Sequence, residues 1–160
     1  MELLFKHIWM LFIVATVANG LALKHRAKKY IAEKPERRAG YEACVKGLMI
    51  YGNIPWLIVG IGNLSGWTDS IFDYFNPRAM NPVVLLLHAC IVLLWILGLW
   101  WIYGSNGAEW IERHPGIFRK TSFSGNTEVT AKQIKRFFPV LILAGVTGMI
   151  IMWTMDFTPP

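Results

Sequence analysis

The sequence predicts an all-α integral membrane protein, a bundle of four transmembrane helices with both termini on the outer, periplasmic side. Of its 160 residues, 54% are hydrophobic and only 16% are charged, whereas a soluble domain averages about 45 to 50% apolar and about 25% charged residues. Four apolar runs each approach the roughly 20 residues that cross a bilayer as a helix. We therefore expect one four-span membrane domain over residues 1–160.

The first two predicted spans cover residues 3–23 and 42–64. A basic cluster at residues 24–29 follows the first span, whereas a signal peptide carries its positive charge before the apolar core, so a retained anchor is predicted. The second span contains Asn53 and Pro55. Because proline lacks a backbone N–H donor, this position predicts a bend.

The third and fourth predicted spans cover residues 82–103 and 137–155. Trp and Tyr residues near the inner end of the third span match an interfacial aromatic belt. Ahead of the fourth span, the segment Thr127-Glu128-Val129-Thr130 predicts a capped helix start. In the loop between spans two and three, aromatic residues alternate with polar ones over residues 66–75, which predicts a short surface helix.

The distribution of basic residues predicts the orientation. Lys and Arg number seven in residues 24–41, six in residues 104–136 and one in residues 65–81. This bias places the first and third loops in the cytoplasm. It also accounts for the formal charge of +6, so nucleic acid is not expected as a partner. Neither a nucleotide-binding motif nor a CxxC metal motif is present.

Two histidines within the spans are the main candidate ligands, because ionisable residues in a bilayer are costly and often functional. His7 and His88 both lie roughly 6 to 9 Å below the outer ends of their spans. If they converge, they could supply two axial ligands to haem b, with Trp95 as an aromatic edge of the pocket. The alternative is that each histidine forms a hydrogen bond across helices. His25 and His114 are expected to be solvated.

Asn53 is the other candidate pocket residue. It lies two residues before Pro55, so the pair could shape a polar pocket, or it could form an ordinary kink with a buried amide contact. In span four, a stripe of methionines that includes Met149 and Met152 is more typical of packing than of metal ligation.

The spans resemble the small bacterial membrane-type protoporphyrinogen IX oxidases and their relatives with copper-resistance-D-like four-helix domains. The motifs that carry the resemblance lie in all four spans: Lys6-His7-Ile8, Asn53-Ile54-Pro55, Leu87-His88-Ala89 and Arg136-Phe137-Phe138-Pro139-Val140. The resemblance implies a multi-pass protein of the bacterial inner membrane, with haem b at His7 and His88. It also implies oxidation of a tetrapyrrole.

Three functions are therefore predicted for testing. The first is a haem-b-binding redox protein that exchanges electrons with a quinone, a tetrapyrrole or a partner subunit. The second is a cofactor-free accessory subunit of a larger membrane complex. The third is a small-molecule or metal permeation protein that uses Asn53, Met149 and Met152.

Overall fold

The computed structural model describes residues 2–118 and 128–155, with side chains from residue 5 onwards, and this part of the chain is helical with no strand. The α-helices are α1 (Glu2–Glu33), α2 (Arg38–Tyr51), α3 (Ile54–Leu64), α4 (Pro82–Leu99), α5 (Gly107–Arg113) and α6 (Ala131–Thr154). Short 3₁₀ turns span Pro35–Arg37, Ile71–Phe75 and Pro77–Ala79, and a π-helical turn spans Trp100–Gly104.

Four helical segments are long and apolar enough to cross a membrane, which confirms the predicted membrane-type, all-helical character. They are Phe5–Glu33, Pro35–Leu64, Pro82–Gly104 and Ala131–Thr154. Each contains or largely overlaps one predicted apolar run. The helices extend beyond those runs because backbone hydrogen bonds continue into the polar flanks.

Helices α1 and α2 form a hairpin that reverses at the Pro35–Arg37 turn. Leu23 and Ala27 of α1 are buried although they flank the basic cluster. Deeper in the hairpin, a Cβ on Gly20 would lie only 2.8 Å from the Met49 Cε. This close packing explains why α1 continues as a helix to Glu33 instead of ending with its apolar run.

Helices α2 and α3 are separated by a break at residues 52 and 53, as Pro55 predicts. The Asn53 backbone N–H donates to the Ile50 carbonyl instead of continuing the regular helical pattern. The Asn53 side-chain amide then donates to the Met49 carbonyl at 2.7 Å. The side chain thus replaces the backbone donor that the break withdraws from that carbonyl.

The segment 65–81 lies against the start of α1. Phe5 and Phe72 have ring centroids 5.0 Å apart. The predicted short helix in this segment is the Ile71–Phe75 turn, which begins where Ser70 accepts a hydrogen bond from the Phe72 N–H at 3.2 Å. The Asp73 carboxylate accepts from the Ser70 N–H at 3.0 Å. We call this end of the molecule the loop end.

At the opposite end, which we call the hairpin end, the α1–α2 hairpin packs against residues 107–118. The Tyr41 hydroxyl donates to the Pro115 carbonyl at 2.7 Å. His114 is only 9% exposed, and its ring stacks on Trp110 at a centroid distance of 4.1 Å. The expectation that His114 is solvated was therefore wrong, because α2 covers it, whereas His25 is exposed as expected.

Helix α6 begins as the capped helix that the sequence predicts, although residues 119–127 lie outside the described part of the chain. Thr130 accepts from the Gln133 N–H at 3.3 Å, and the Gln133 side chain accepts from the Thr130 N–H at 3.1 Å. Lys135 forms an ion pair with Glu109 of α5. The hydrogen bond from Lys135 holds the pKa of the Glu109 carboxyl below the usual value of this group.

Candidate functional site

A cavity of about 480 Å³ lies between α3, α4, α6 and the Ile71–Phe75 turn. Its walls are mostly aliphatic, aromatic and thioether groups. The lining residues are Pro55, Trp56, Val59, Ile71, Tyr74, Phe75, Leu87, His88, Ile91, Trp95, Gly145, Gly148, Met149 and Met152. Two of the four predicted site residues, His88 and Trp95, therefore share one cavity.

Aromatic side chains lie between α4 and α6 along their length. Phe138 of α6 lies against Gly98 of α4, where an added Cβ would be 3.0 Å from the ring. One step along, Trp95 of α4 lies against Gly145 of α6, where an added Cβ would be 2.5 Å from the indole. Each of these two contacts places a large aromatic ring of one helix against a glycine of the other.

The next contact along this interface is between Trp153 of α6 and His88 of α4, whose ring centroids are 6.1 Å apart. Between this contact and the Trp95–Gly145 contact lies Gly148. A Cβ added to Gly148 would meet no heavy atom within 4 Å. The cavity thus occupies the part of the interface where α6 presents a glycine between two aromatic contacts.

His88 connects two further elements through its two ring nitrogens. The Trp153 indole N–H donates to His88 Nδ1 at 3.3 Å. Because Nδ1 accepts, the proton of a neutral ring lies on Nε2, which donates to the Tyr74 carbonyl at 3.1 Å. His88 is 6% exposed, so both of its polar atoms are satisfied inside the protein.

A second group of buried hydrogen bonds joins α1 and α3 to the segment 65–81. Asn63, which is 1% exposed, donates to the Lys6 carbonyl at 2.8 Å and accepts from the Thr68 hydroxyl at 2.6 Å. The Tyr74 hydroxyl donates to the Val59 carbonyl at 3.2 Å. Burial raises the pKa of the Tyr74 phenol, so this group stays a neutral donor.

His7 is not among the residues that line the cavity. Its Nδ1 atom is buried and has no hydrogen-bond partner in the described part of the chain. Neighbouring residues on α1 face the loop end, because Phe5 contacts Phe72 and the Lys6 carbonyl binds Asn63. The structure thus places His7 near this end without bringing it to the wall that His88 occupies.

Asn53 also lies outside the cavity lining. It is buried, and its side-chain amide serves the helix break described above. Its Oδ1 atom has no partner within the described residues. The neighbouring Pro55 does line the cavity, so the kink contributes to the cavity wall through the proline ring.

Haem ligation by His7 and His88 can be compared with these positions. An axial ligand must offer the iron a free imidazole nitrogen. Over residues 2–118 and 128–155, His7 Nδ1 has no partner, whereas the two ring nitrogens of His88 are bound to Trp153 and Tyr74. The two residues do not line one cavity. The arrangement therefore does not fit a preformed bis-histidine haem site, and haem binding stays a prediction.

Comparisons with protein-family models, curated proteins and solved structures give no match for this chain.

Several residues of the candidate site were not predicted as site residues from the sequence, among them Gly148, Trp153 and Asn63. Gly148 and Trp153 sit on α6, and their pairing with α4 depends on the relative rotation of the two helices. Asn63 lies near the end of an apolar run. A polar residue there is a signal for a buried hydrogen bond, because an unsatisfied amide is costly away from water.

Proposed function

We propose that this protein binds a membrane-dissolved ring compound of the quinone class in the cavity between α3, α4 and α6. The observation that carries the proposal is a cavity of about 480 Å³ with apolar walls, an imidazole and an indole. Small-molecule sites are commonly about 300 to 1,000 Å³, with apolar walls and few polar groups. A quinone ring with its first isoprenoid unit suits such a space.

The polar groups on the cavity wall match a ring that carries carbonyl acceptors. Trp95 lines the cavity, and its indole N–H would donate to one quinone carbonyl. His88 adds a polarisable ring that is held in a defined orientation by Trp153 and Tyr74. Met149 and Met152 provide flexible thioether side chains that adapt to an irregular ligand.

On this proposal, the redox role predicted from the sequence comes from the bound ligand. A quinone takes up electrons and protons, and the chain contributes binding and orientation. The apolar walls would exclude water from the ring. Tyr74 and His88 would hold the polar edge of the cavity in place through the Nε2 to carbonyl hydrogen bond.

Gly148→Leu is expected to weaken quinone binding at least about tenfold. The position is open, since an added Cβ meets no heavy atom within 4 Å, so the leucine side chain would occupy space that the ligand needs. Gly148→Ala is the matched control and should stay within about threefold of the original protein. The measurement is quenching of tryptophan fluorescence by a short-chain ubiquinone or menaquinone in detergent micelles. Equal affinity of the Gly148→Leu variant and the original protein would reject this cavity as the site.

Haem b is a second candidate ligand, favoured by one observation: among the described residues, the buried His7 Nδ1 has no hydrogen-bond partner. Ligation at His88 would additionally require one of its ring nitrogens to give up its hydrogen bond to Trp153 or to Tyr74. A visible absorption spectrum of the purified protein separates the two ligands. A Soret band that disappears in His7→Ala would support haem, whereas extraction of a quinone without a Soret band would support the first proposal.

We further propose that the four candidate spans form a bundle in a bacterial inner membrane, with the loop end on the periplasmic side. The support is the count of Lys and Arg, thirteen in residues 24–41 and 104–136 combined against one in residues 65–81. Alkaline phosphatase fused at the C-terminus should be active, and the same enzyme inserted after Lys34 should be inactive. The reverse pattern would overturn the orientation.

A further inference from the structure

A second and larger concave surface, separate from the cavity at the loop end, lies between α1 and α2 towards the hairpin end. It is a groove of about 710 Å³. Its floor contains the buried residues Ala27, Tyr41 and Val45. Met49 and Ile50 continue the apolar lining along α2, away from the turn.

The edge of the groove is basic. Lys24 and Lys28 lie one helical turn apart on α1, and Lys46 lies across the groove on α2. All three side chains are exposed, and none forms an ion pair within the described part of the chain. The remaining charges of the lining, Arg38 and Glu42, pair with each other at 2.8 Å. The groove therefore has three unpaired positive charges beside an apolar floor.

We propose that this groove binds one acidic phospholipid, with its phosphate among Lys24, Lys28 and Lys46 and an acyl chain along Val45, Met49 and Ile50. The groove has a cationic part that suits the headgroup of such a lipid and an apolar part that suits its acyl chain. Three ammonium groups complement an anionic headgroup, and the apolar floor has no role for a free anion. On α2, Lys46 lies three residues before Met49 and four residues before Ile50, which is about one helical turn. Its charge is therefore next to the apolar part of the groove.

The positions of these groups agree with where a lipid headgroup would lie. Lys24 follows the first apolar run and Lys46 lies near the start of the second, so both residues lie near the boundary between apolar and polar residues. Long lysine side chains commonly extend to this level. The groove thus joins a cluster of cations at the depth of lipid headgroups to an apolar surface at the depth of acyl chains.

The test uses the full chain, purified in a mild detergent, delipidated and titrated with phosphatidylglycerol while native mass spectrometry counts bound lipid. The triple variant Lys24→Gln, Lys28→Gln and Lys46→Gln should bind at least about tenfold more weakly, since each lysine near a lipid surface contributes about fivefold. The matched control is Arg26→Gln, Lys29→Gln and Lys34→Gln, which removes the same charge outside the groove lining. It should stay within about threefold of the original protein.

Two further results would overturn the proposal. Equal losses in the groove and control variants would show that net charge alone attracts the lipid. Displacement of bound phosphatidylglycerol by millimolar inorganic phosphate would show a simple anion site. Phosphatidylcholine with the same acyl chains should bind at least about tenfold more weakly than phosphatidylglycerol. A failure here leaves the quinone proposal untouched, because the two sites share no lining residue.

Discussion

Gly40→Ala is expected to lower the free energy of unfolding by about 2 to 3 kcal/mol, because overpacking of a filled interior typically costs about 1 to 3 kcal/mol. An added Cβ would lie only 2.1 Å from the His114 Nε2 atom. His114 cannot easily move away. Its Nδ1 atom forms a hydrogen bond with the Trp110 carbonyl at 2.7 Å. Its ring also makes an edge-to-face contact with the Tyr41 ring, with the two centroids 5.2 Å apart.

Gly47→Ala provides the matched control, since it lies on the same helix and its added Cβ would be 3.8 Å from Tyr51, an ordinary contact. This variant should be neutral or should gain up to about 1 kcal/mol, because alanine favours a helix over glycine. Both variants are measured by unfolding in mixed micelles of increasing SDS content. His114→Ala should remove most of the penalty of Gly40→Ala in a double-mutant cycle. A full penalty in the His114→Ala background would contradict the proposed clash.

Asn63→Ala is expected to lower the free energy of unfolding by about 2 kcal/mol. The amide is 1% exposed and joins the Lys6 carbonyl to the Thr68 hydroxyl. Its removal takes the side-chain donor from the Lys6 carbonyl and leaves the Thr68 hydroxyl, itself 4% exposed, with only the Tyr74 hydroxyl oxygen at 3.2 Å as an acceptor. Weakening the hydrogen bonds of a buried group in this way costs about 1 to 3 kcal/mol. The same unfolding assay measures the effect.

Ser65→Ala is the control for the loop end. Ser65 is exposed and its hydroxyl donates to the Gly62 carbonyl in its own turn at 3.1 Å. Its removal should change the free energy of unfolding by no more than about 0.5 kcal/mol. An Asn63→Ala variant as stable as Ser65→Ala would show that the buried hydrogen bonds of Asn63 do not hold α1 to the segment 65–81.

The helices were predictable because their signals are local. An apolar run of about 20 residues, a proline at position 55 and the Thr130 cap each act on the residues beside them. The break beside Asn53 and the capped start of α6 were therefore confirmed close to their predicted positions. The lengths of the helices were less predictable, because α1 is extended to Glu33 by contacts with α2.

The candidate site was predicted only in part. His88 and Trp95 share a helix face, seven residues apart, and they do line one cavity. Similar depth for His7 and His88 could be estimated along each helix axis from the rise per residue. Depth does not specify the rotation of a helix about its axis, and rotation determines which side chains meet.

The sequence by itself determined that this chain is helical, that four segments suit a membrane and that basic residues concentrate in two loops, since these properties depend on composition and local spacing. Only the tertiary structure decided that His88 binds Trp153 and Tyr74, that His114 is buried under α2 and that Gly148 faces open space. Those outcomes depend on contacts between residues far apart in the chain. Such contacts are set by how whole helices pack, and no local pattern encodes that packing.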